Sequence, residues 1–373
     1  MKATQGSMTR LTLMVGLTAG LLLTAGEALA QGRGRGRGRN EPATPAATNL
    51  ATIVLEGGRT RDNVEIREEK FAAIKFKDRG RNDEVSGEQV LEIRYQGAPP
   101  QFLAGQSQLR GGAFDRAVQS FTVARNGAAD GSWIWFHATY WLGESQRQNG
   151  NAAEAITEYG RLLEKGADHW LAPAAIYGLG KAQIDAGRHA NAVTTLKRLD
   201  RGFGDMWSFK GKLGEADAQF AQNQFAPARG AYEMAERGAS RYPGIRRQAQ
   251  VGIGKCYVAD KRYDDAVRYF EGIISQSGNV DPEVGGGAWV GIGDCRLAQA
   301  KENGNDPNRL KEALIAYQTA VVRYAGVPGA YPKALFHSAQ IYKLLNLPDL
   351  ARYQEDELKS RYPKSPYVKQ LGG

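Results

Sequence analysis

Small residues recur along this chain at a fixed distance, and that regularity constrains the fold more than any single motif. Gly105 is followed twelve positions later by Ala117, Gly143 by Ala155, Gly180 by Ala192, Ala216 by Ala228, Gly254 by Ala266 and Ala339 by Ala351. Gly293 reaches Ala313 only after eight extra residues in the loop ENGNDPNRLK. The downstream alanines lie 38, 37, 36, 38, 47 and 38 residues apart, and removing the insert brings the 47 to 39. Self-similarity at such a period marks a stacked-repeat architecture. After each alanine the apolar residues fall at helical spacing, as in Ala266, Val267, Phe270, Ile273 and Ile274. Turn signals separate the paired small residues: Arg110-Gly-Gly, Asn149-Gly-Asn, Ala186-Gly-Arg and Asp260-Lys-Arg. Each unit therefore reads helix, tight turn, helix. The small residues mark the crossings, because a side chain larger than methyl would push the two backbones apart.

This register also accounts for GIGKC at 252–256 and GIGDC at 291–295, which superficially suggest a nucleotide loop. A dinucleotide fingerprint needs a third glycine and a preceding buried strand. Tyr257 and Arg296 fill the third slots, and no β-branched run precedes either motif. The glycines are read as packing positions. The motifs hold both cysteines, Cys256 and Cys295, on the same face of two successive first helices. Neighbouring helices pack about 8–10 Å apart, whereas a disulfide needs Cα atoms within about 7 Å. Two buried free thiols are expected, and with no histidine beside them in sequence, no zinc site.

WLGES at 141–145, the A-x3-[FYL] pairs Ala117/Phe121, Ala155/Tyr159, Ala228/Tyr232, Ala266/Phe270 and Ala313/Tyr317, and the closing Tyr242-Pro243 and Tyr362-Pro363 follow a known pattern. Residues 99–371 resemble the tetratricopeptide repeat, although the units exceed its usual length and glutamine replaces the first-helix tyrosine in four of them. The resemblance implies a mainly α fold, an α-solenoid of about seven tetratricopeptide-like helix hairpins with first helices lining a concave groove. Carried onto this chain, the groove positions of that family give His137, Tyr140, Glu144 and Arg147, then Tyr177 and Lys181, then Lys210, Asp217 and Phe220, then Lys255, and lastly Phe336 and Lys343. The lysine and asparagine set of the family's carboxylate-clamp members is absent. Seven groove cations against four anions (Arg110, Arg147, Lys181, Lys210, Lys255, Lys333 and Lys343; Glu144, Asp185, Asp217 and Asp294) imply an extended, mildly acidic peptide as partner.

The front of the chain has three further sections. Residues 1–30 combine Lys2 and Arg10, an apolar run from Leu11 to Leu23 and a terminal Ala28-Leu-Ala, the layout of a cleavable signal peptide. The run is shorter than the roughly 20 apolar residues of a membrane span, so no stable insertion is expected after cleavage. Residues 31–48, QGRGRGRGRN and a Pro/Ala stretch, read as a flexible linker. Residues 49–97 carry four short β-rich runs (TIVLEGG, NVEI, AAIKF, QVLEIRY), read as a small β-rich module packed on the first repeat, with Ala98-Pro-Pro as its boundary. The net charge is +9; residues 1–30 supply +1 and the tract's four arginines +4, leaving +4 on the rest. That is too mild for nucleic-acid binding to be argued from charge, so nucleic acid is disfavoured.

No catalytic motif emerges. The four histidines stand apart from the cysteines and from any metalloprotease pattern, and His137, His189 and His337 are read as surface residues. ENGNDPN lacks the spaced acidic ligands of a calcium loop. The expectation is a non-enzymatic protein-interaction scaffold of the bacterial envelope, periplasmic or secreted, holding a protein or peptide without cofactor, metal or small-molecule substrate. The alternative is a binder of RNA or wall polymer that grips through the Arg-Gly tract. Cleavage after Ala30 should leave a mature chain beginning at Gln31 outside the cytoplasm. N-terminal sequencing of fractionated cells checks this, and an intact Met1 in every fraction would refute it.

Overall fold

The computed structural model describes residues 49–275, 282–327 and 329–371. The expected signal segment 1–30 and linker 31–48 lie outside them. Seven helix hairpins follow one another: α1 (Pro100–Arg110) with α2 (Phe114–Asn126), α3 (Trp133–Gln148) with α4 (Ala152–Lys165), α5 (Ala172–Asp185) with α6 (His189–Leu196), and α7 (Gly204–Ala221) with α8 (Phe225–Gly238). The remainder are α9 (Pro243–Ala259) with α10 (Tyr263–Ile274), α11 (Pro282–Glu302) with α12 (Pro307–Arg323), and α13 (Tyr331–Leu344) with α14 (Pro348–Arg361). A short α15 (Pro366–Gln370) packs against α13 and α14. The fold is the expected α-solenoid behind a small β module. Among the described residues no helix is long and apolar enough to cross a membrane.

Every hairpin turns through a residue of positive φ: Gly112, Gly150, Gly187, Asn223, Lys261, Asn305 and Asn346. Six are the Gly or Asn that tolerates this conformation; Lys261 alone is an ordinary side chain held there. The eight-residue insert is not the loop the sequence suggested. It is absorbed as helix, with α11 and α12 running 21 and 17 residues. Lengthening each helix by about one turn of 3.6 residues keeps the packing face aligned.

The paired glycines have a steric purpose that goes beyond the crossing within one hairpin. In three hairpins a ring or branched side chain of the second helix is clamped between a glycine of its own first helix and one of the next. A Cβ on Gly254 would lie 2.5 Å from Phe270, and one on Gly291 would lie 2.3 Å from the same ring. Tyr159 is held in this way between Gly143 and Gly178, and Leu196 between Gly180 and Gly214. Tyr232 abuts Gly252, and Tyr317 abuts Gly293. On the far side of Tyr317, where the pattern would place another glycine, the imidazole of His337 stacks instead at 5.2 Å. The first glycine of G-x-G thus serves the preceding hairpin and the second its own. Cys256 and Cys295 are free, buried in separate clusters, and burial pushes both thiols up to about 12.

The β module is one antiparallel sheet in the order β4-β3-β2-β1-β5: β1 (Leu50–Leu55), β2 (Thr60–Glu69), β3 (Ile74–Asp78), β4 (Arg81–Val85) and β5 (Val90–Tyr95). Four strands were expected. The fifth, β4, is the exposed edge strand RNDEV, which has no buried face to impose alternation. It is joined to β3 through Arg79 and Gly80, both with the positive φ that two-residue hairpin turns favour.

The sheet packs on α3, on the connection between α4 and α5, and at the start of α7, where Phe71 meets Phe203 at 5.1 Å, rather than on the first hairpin alone. Lys70 bridges to His169, Phe71 N–H donates to the Asp168 carbonyl at 2.8 Å, and Trp170 N–H donates to the Glu69 carbonyl at 2.9 Å. Tyr95 stacks on Trp133 at 3.9 Å. At the centre the Glu69 carboxylate is buried among His137 Nε2 at 3.0 Å, His169 Nε2 at 3.3 Å and the Trp170 indole N–H, which donates at 3.0 Å. Neither histidine is a surface residue, and His137 does not face the groove. The Leu171 N–H donates to His169 Nδ1, which leaves Nε2 to donate to Glu69.

At the other extreme of the solenoid, the segment between α14 and α15 meets the beginning of the array. Lys364 Nζ lies 2.8 Å from the Asp115 carboxylate on α2, with Gly150 alongside Lys364. Asn149 also donates to Asp115.

Two tests follow from this packing. Gly291→Leu drives a side chain into Phe270 and should cost about 1–3 kcal/mol of stability; wild-type melting would remove Gly291 from the crossing. The second concerns acid. Burial alone would raise the Glu69 carboxyl, but the two imidazoles and their hydrogen bonds outweigh it and hold the group well below the usual carboxylate range. Burial pushes His169 below the usual imidazole value against the pull of Glu69. For both groups the unfolded chain binds protons that the folded one refuses. The resulting stability is full near neutrality, begins to fall below about pH 6.5 and falls further below about pH 4.3. Urea midpoints measured from pH 7.5 downward should decline across that window, and Glu69→Ala should cost about 3 kcal/mol at pH 7. A flat profile would refute the role of this cluster.

Candidate functional site

The first helices form one continuous layer, since each contacts the first helix of the next hairpin. In the second to sixth hairpins the residue directly after the crossing residue is charged, and the first four of these five border one cavity. In order along the chain these residues are Glu144, Lys181, Asp217, Lys255 and Asp294, a row of alternating sign. Where the residue is acidic, the second helix supplies a tyrosine whose hydroxyl donates to it. Tyr159 donates to Glu144, Tyr232 to Asp217 at 2.6 Å and Tyr317 to Asp294 at 2.7 Å. Where it is basic, Leu196 or Phe270 occupies the corresponding place, with no hydroxyl to misdirect. Each of these tyrosines is also the packing ring of its hairpin, so one residue serves core and groove together.

Cations take the remaining carboxylate oxygens. Arg147 approaches Glu144 at 3.4 Å and Asp185 at 3.5 Å. Lys181 pairs with Asp217 at 3.0 Å, and Lys333 pairs with Asp294 at 2.6 Å. Mutual attraction with Asp217 raises the Lys181 ammonium despite its burial. Burial would raise Asp217, yet Lys181, Lys255 and the Tyr232 hydroxyl hold it low.

Between these rows lies a cavity of about 510 Å³. Besides His137, which packs against Glu69 instead, eleven groove positions were expected, and eight of them border the cavity: Tyr140, Glu144, Arg147, Tyr177, Lys181, Lys210, Asp217 and Lys255. The other three do not. Phe220 turns to Phe225 of its own hairpin at 5.2 Å, and Lys343 pairs with Glu355 at 2.6 Å. Phe336 is a correction of a different kind: it is buried beneath α15, with Tyr367 at 5.3 Å, so the chain's own end covers that groove position. Trp207 and Glu283, which the repeat register does not select, also line it. The cavity therefore presents four cations, Arg147, Lys181, Lys210 and Lys255, against three carboxylates, Glu144, Asp217 and Glu283. Its charge surplus is smaller than the sequence count suggested. Among the described residues no group of histidines, cysteines and carboxylates could hold a metal ion.

Residues 140–205 and 213–282, spanning the second to fifth hairpins, match the tetratricopeptide repeat family model. The match supports reading these hairpins as tetratricopeptide repeats. No curated protein matches the chain. Among solved structures, a Rap protein complexed with Competence and Sporulation Factor aligns at 14% identity and TM-score 0.50, over 72% of this chain and 75% of that one. The apo form of RapI aligns at 10% identity and TM-score 0.50, over 71% and 98% respectively. A tetratricopeptide repeat protein from Parabacteroides merdae aligns at 13% identity and TM-score 0.48, over 73% and 95%. At these identities the likeness is one of fold.

Proposed function

We propose that this protein is a non-catalytic scaffold of the bacterial envelope that holds a peptide segment of another protein in its concave cavity. The observation that carries the reading is the lining itself. Partly buried aromatic side chains, Tyr140, Tyr177 and Trp207, stand among Arg147, Lys181, Lys210 and Lys255 in a space of about 510 Å³. Aromatic and arginine side chains carry most of the energy at protein interfaces, since they bury much area with strong directional contacts. The volume is within the range of specific ligand sites and suits a few side chains of an extended segment. The hydroxyl–carboxylate and lysine–carboxylate pairs hold the lining in place before any partner arrives, which reduces the ordering cost of binding. Export rests on the pattern of residues 1–30 alone. A polyanion is the poorer occupant, because Glu144, Asp217 and Glu283 border the same space and would repel it.

Panning a random-peptide display library on the mature full-length protein should yield binders that compete with one another. Tyr177→Ala combined with Lys181→Ala should weaken them about tenfold or more, while deleting residues 31–48 should barely matter. If the deletion abolishes binding and the double substitution does not, the Arg-Gly tract is the binding element and the cavity reading falls.

A further inference from the structure

We infer that the β module is a brace on the cavity, and that its joint with the helical array opens in acid at the cluster of Glu69, His137 and His169. The opening of the joint stands by itself; its effect on binding rests on the peptide reading above.

The module touches three first helices at or just ahead of their beginnings, and each of them carries an aromatic member of the cavity lining further along. On α3, Trp133 stacks on Tyr95 and His137 meets Glu69, and Tyr140 follows about one turn later. Residues 168–170, just ahead of α5, are tied to the end of β2, and Tyr177 follows on α5. Phe203, directly ahead of α7, meets Phe71 edge to face, and a Cβ on Gly204 would run into the Glu88 carboxylate. Trp207 follows about one turn later. One sheet therefore fixes the starts of the three helices that present Tyr140, Tyr177 and Trp207 to the cavity.

The joint is built to refuse a proton. His169 uses both ring nitrogens: Nε2 faces Glu69 at 3.3 Å, and Nδ1 accepts the Leu171 N–H at 3.2 Å. An imidazolium carries a proton on each nitrogen, so its Nδ1–H would confront the Leu171 N–H, donor against donor. The buried ring is held in that orientation by Phe136, stacked on it at 4.0 Å. The charged and titratable groups around it are Glu69, His137 and Asp168. Asp168 is paired with Lys70, which also pairs with Glu68. The Tyr95 phenol faces Glu69 too, and burial and the Glu69 charge keep it protonated. Burial holds His169 below the usual imidazole range against the pull of Glu69.

Opening the joint hydrates His169 and frees both nitrogens, so the open state takes up a proton that the closed state does not. The closed joint is fully stable above about pH 6.5 and loses stability as the pH falls below it. The module keeps its own core around Ile53, Val64, Ile74 and Phe76, and the hairpins keep theirs, with Trp170 packed against both. The joint can therefore part while both sides stay folded.

Hydrogen exchange read by mass spectrometry on the full-length mature protein tests this at pH 7.5 and 5.5, with rates corrected for the intrinsic effect of pH. One imidazole protonated only in the open state favours opening by about tenfold over that interval. Protection should fall by that factor in residues 66–71 and 166–171 and in the first two turns of α5 and α7, while α9 to α14 keep theirs. In His169→Gln and His169→Asn, which cannot titrate, the acid response should vanish; the wild-type comparison decides even if neither variant folds. Unchanged protection in acid, equal loss along the whole chain, or an acid response that persists in the variants would overturn the acid-opened joint. Loss confined to residues 66–71 and 166–171 would overturn the brace. Display-selected peptides without titratable groups in this range should bind more weakly at pH 5.5 on the wild type and equally at both pH values on the His169 variants. Equal binding on the wild type would also overturn the brace. Failure of every peptide to bind would overturn the peptide reading and leave joint and brace to the exchange result.

Discussion

Everything in this solenoid depends on how closely two helices approach a ring placed between them. Tyr159, Leu196 and Phe270 each sit between glycines of consecutive first helices, at positions where a single added methyl would collide. Helix crossings of this kind are set by the smallest residue at the contact. Because the clamped side chain belongs to one hairpin and one of its glycines to the next, the contact that forms a hairpin also fixes the hairpin after it. Stacking and hairpin formation are therefore one event sterically, and the array gains its continuity from residues that have no side chain at all.

The tyrosines extend that constraint to the groove. Tyr159, Tyr232 and Tyr317 present their rings to the clamp and their hydroxyls to Glu144, Asp217 and Asp294. A groove built in this way cannot drift relative to its core. Its polar pattern is set by the choice made at each packing position, tyrosine under an acid and an apolar residue under a base. In the fifth hairpin that choice is Phe270, which offers no hydroxyl beneath Lys255.

Much of this was legible in the sequence because it is local. Spacing alone located Gly254, Ala266 and Phe270, and the same register carried Tyr140, Tyr177, Lys181 and Lys255 to one cavity. What escaped is non-local or breaks the period. Glu69 meets His137 and His169 across 68 and 100 residues, a separation that no pattern records. Strand β4 lacks a buried face and so lacks alternation. Phe336 occupies a groove position in the register, but α15 lies over it, and a five-residue helix leaves almost no periodic signal. Trp207 and Glu283 reach the cavity from the early turns of α7 and α11, outside the positions that repeat.

The meeting of Lys364 with Asp115 has a consequence for how such a protein can change. An open-ended array tolerates gain or loss of a unit, because each unit touches only its neighbours. Here the final segment also touches the opening one, 249 positions earlier. Duplicating or deleting one hairpin would carry Lys364 away from Asp115 and separate the walls of the seam. Unit number thus behaves as a quantised property of this molecule. Variation can alter lengths in matched helical turns, as α11 and α12 have done, while gain or loss of a hairpin would also break the contact of Lys364 with Asp115.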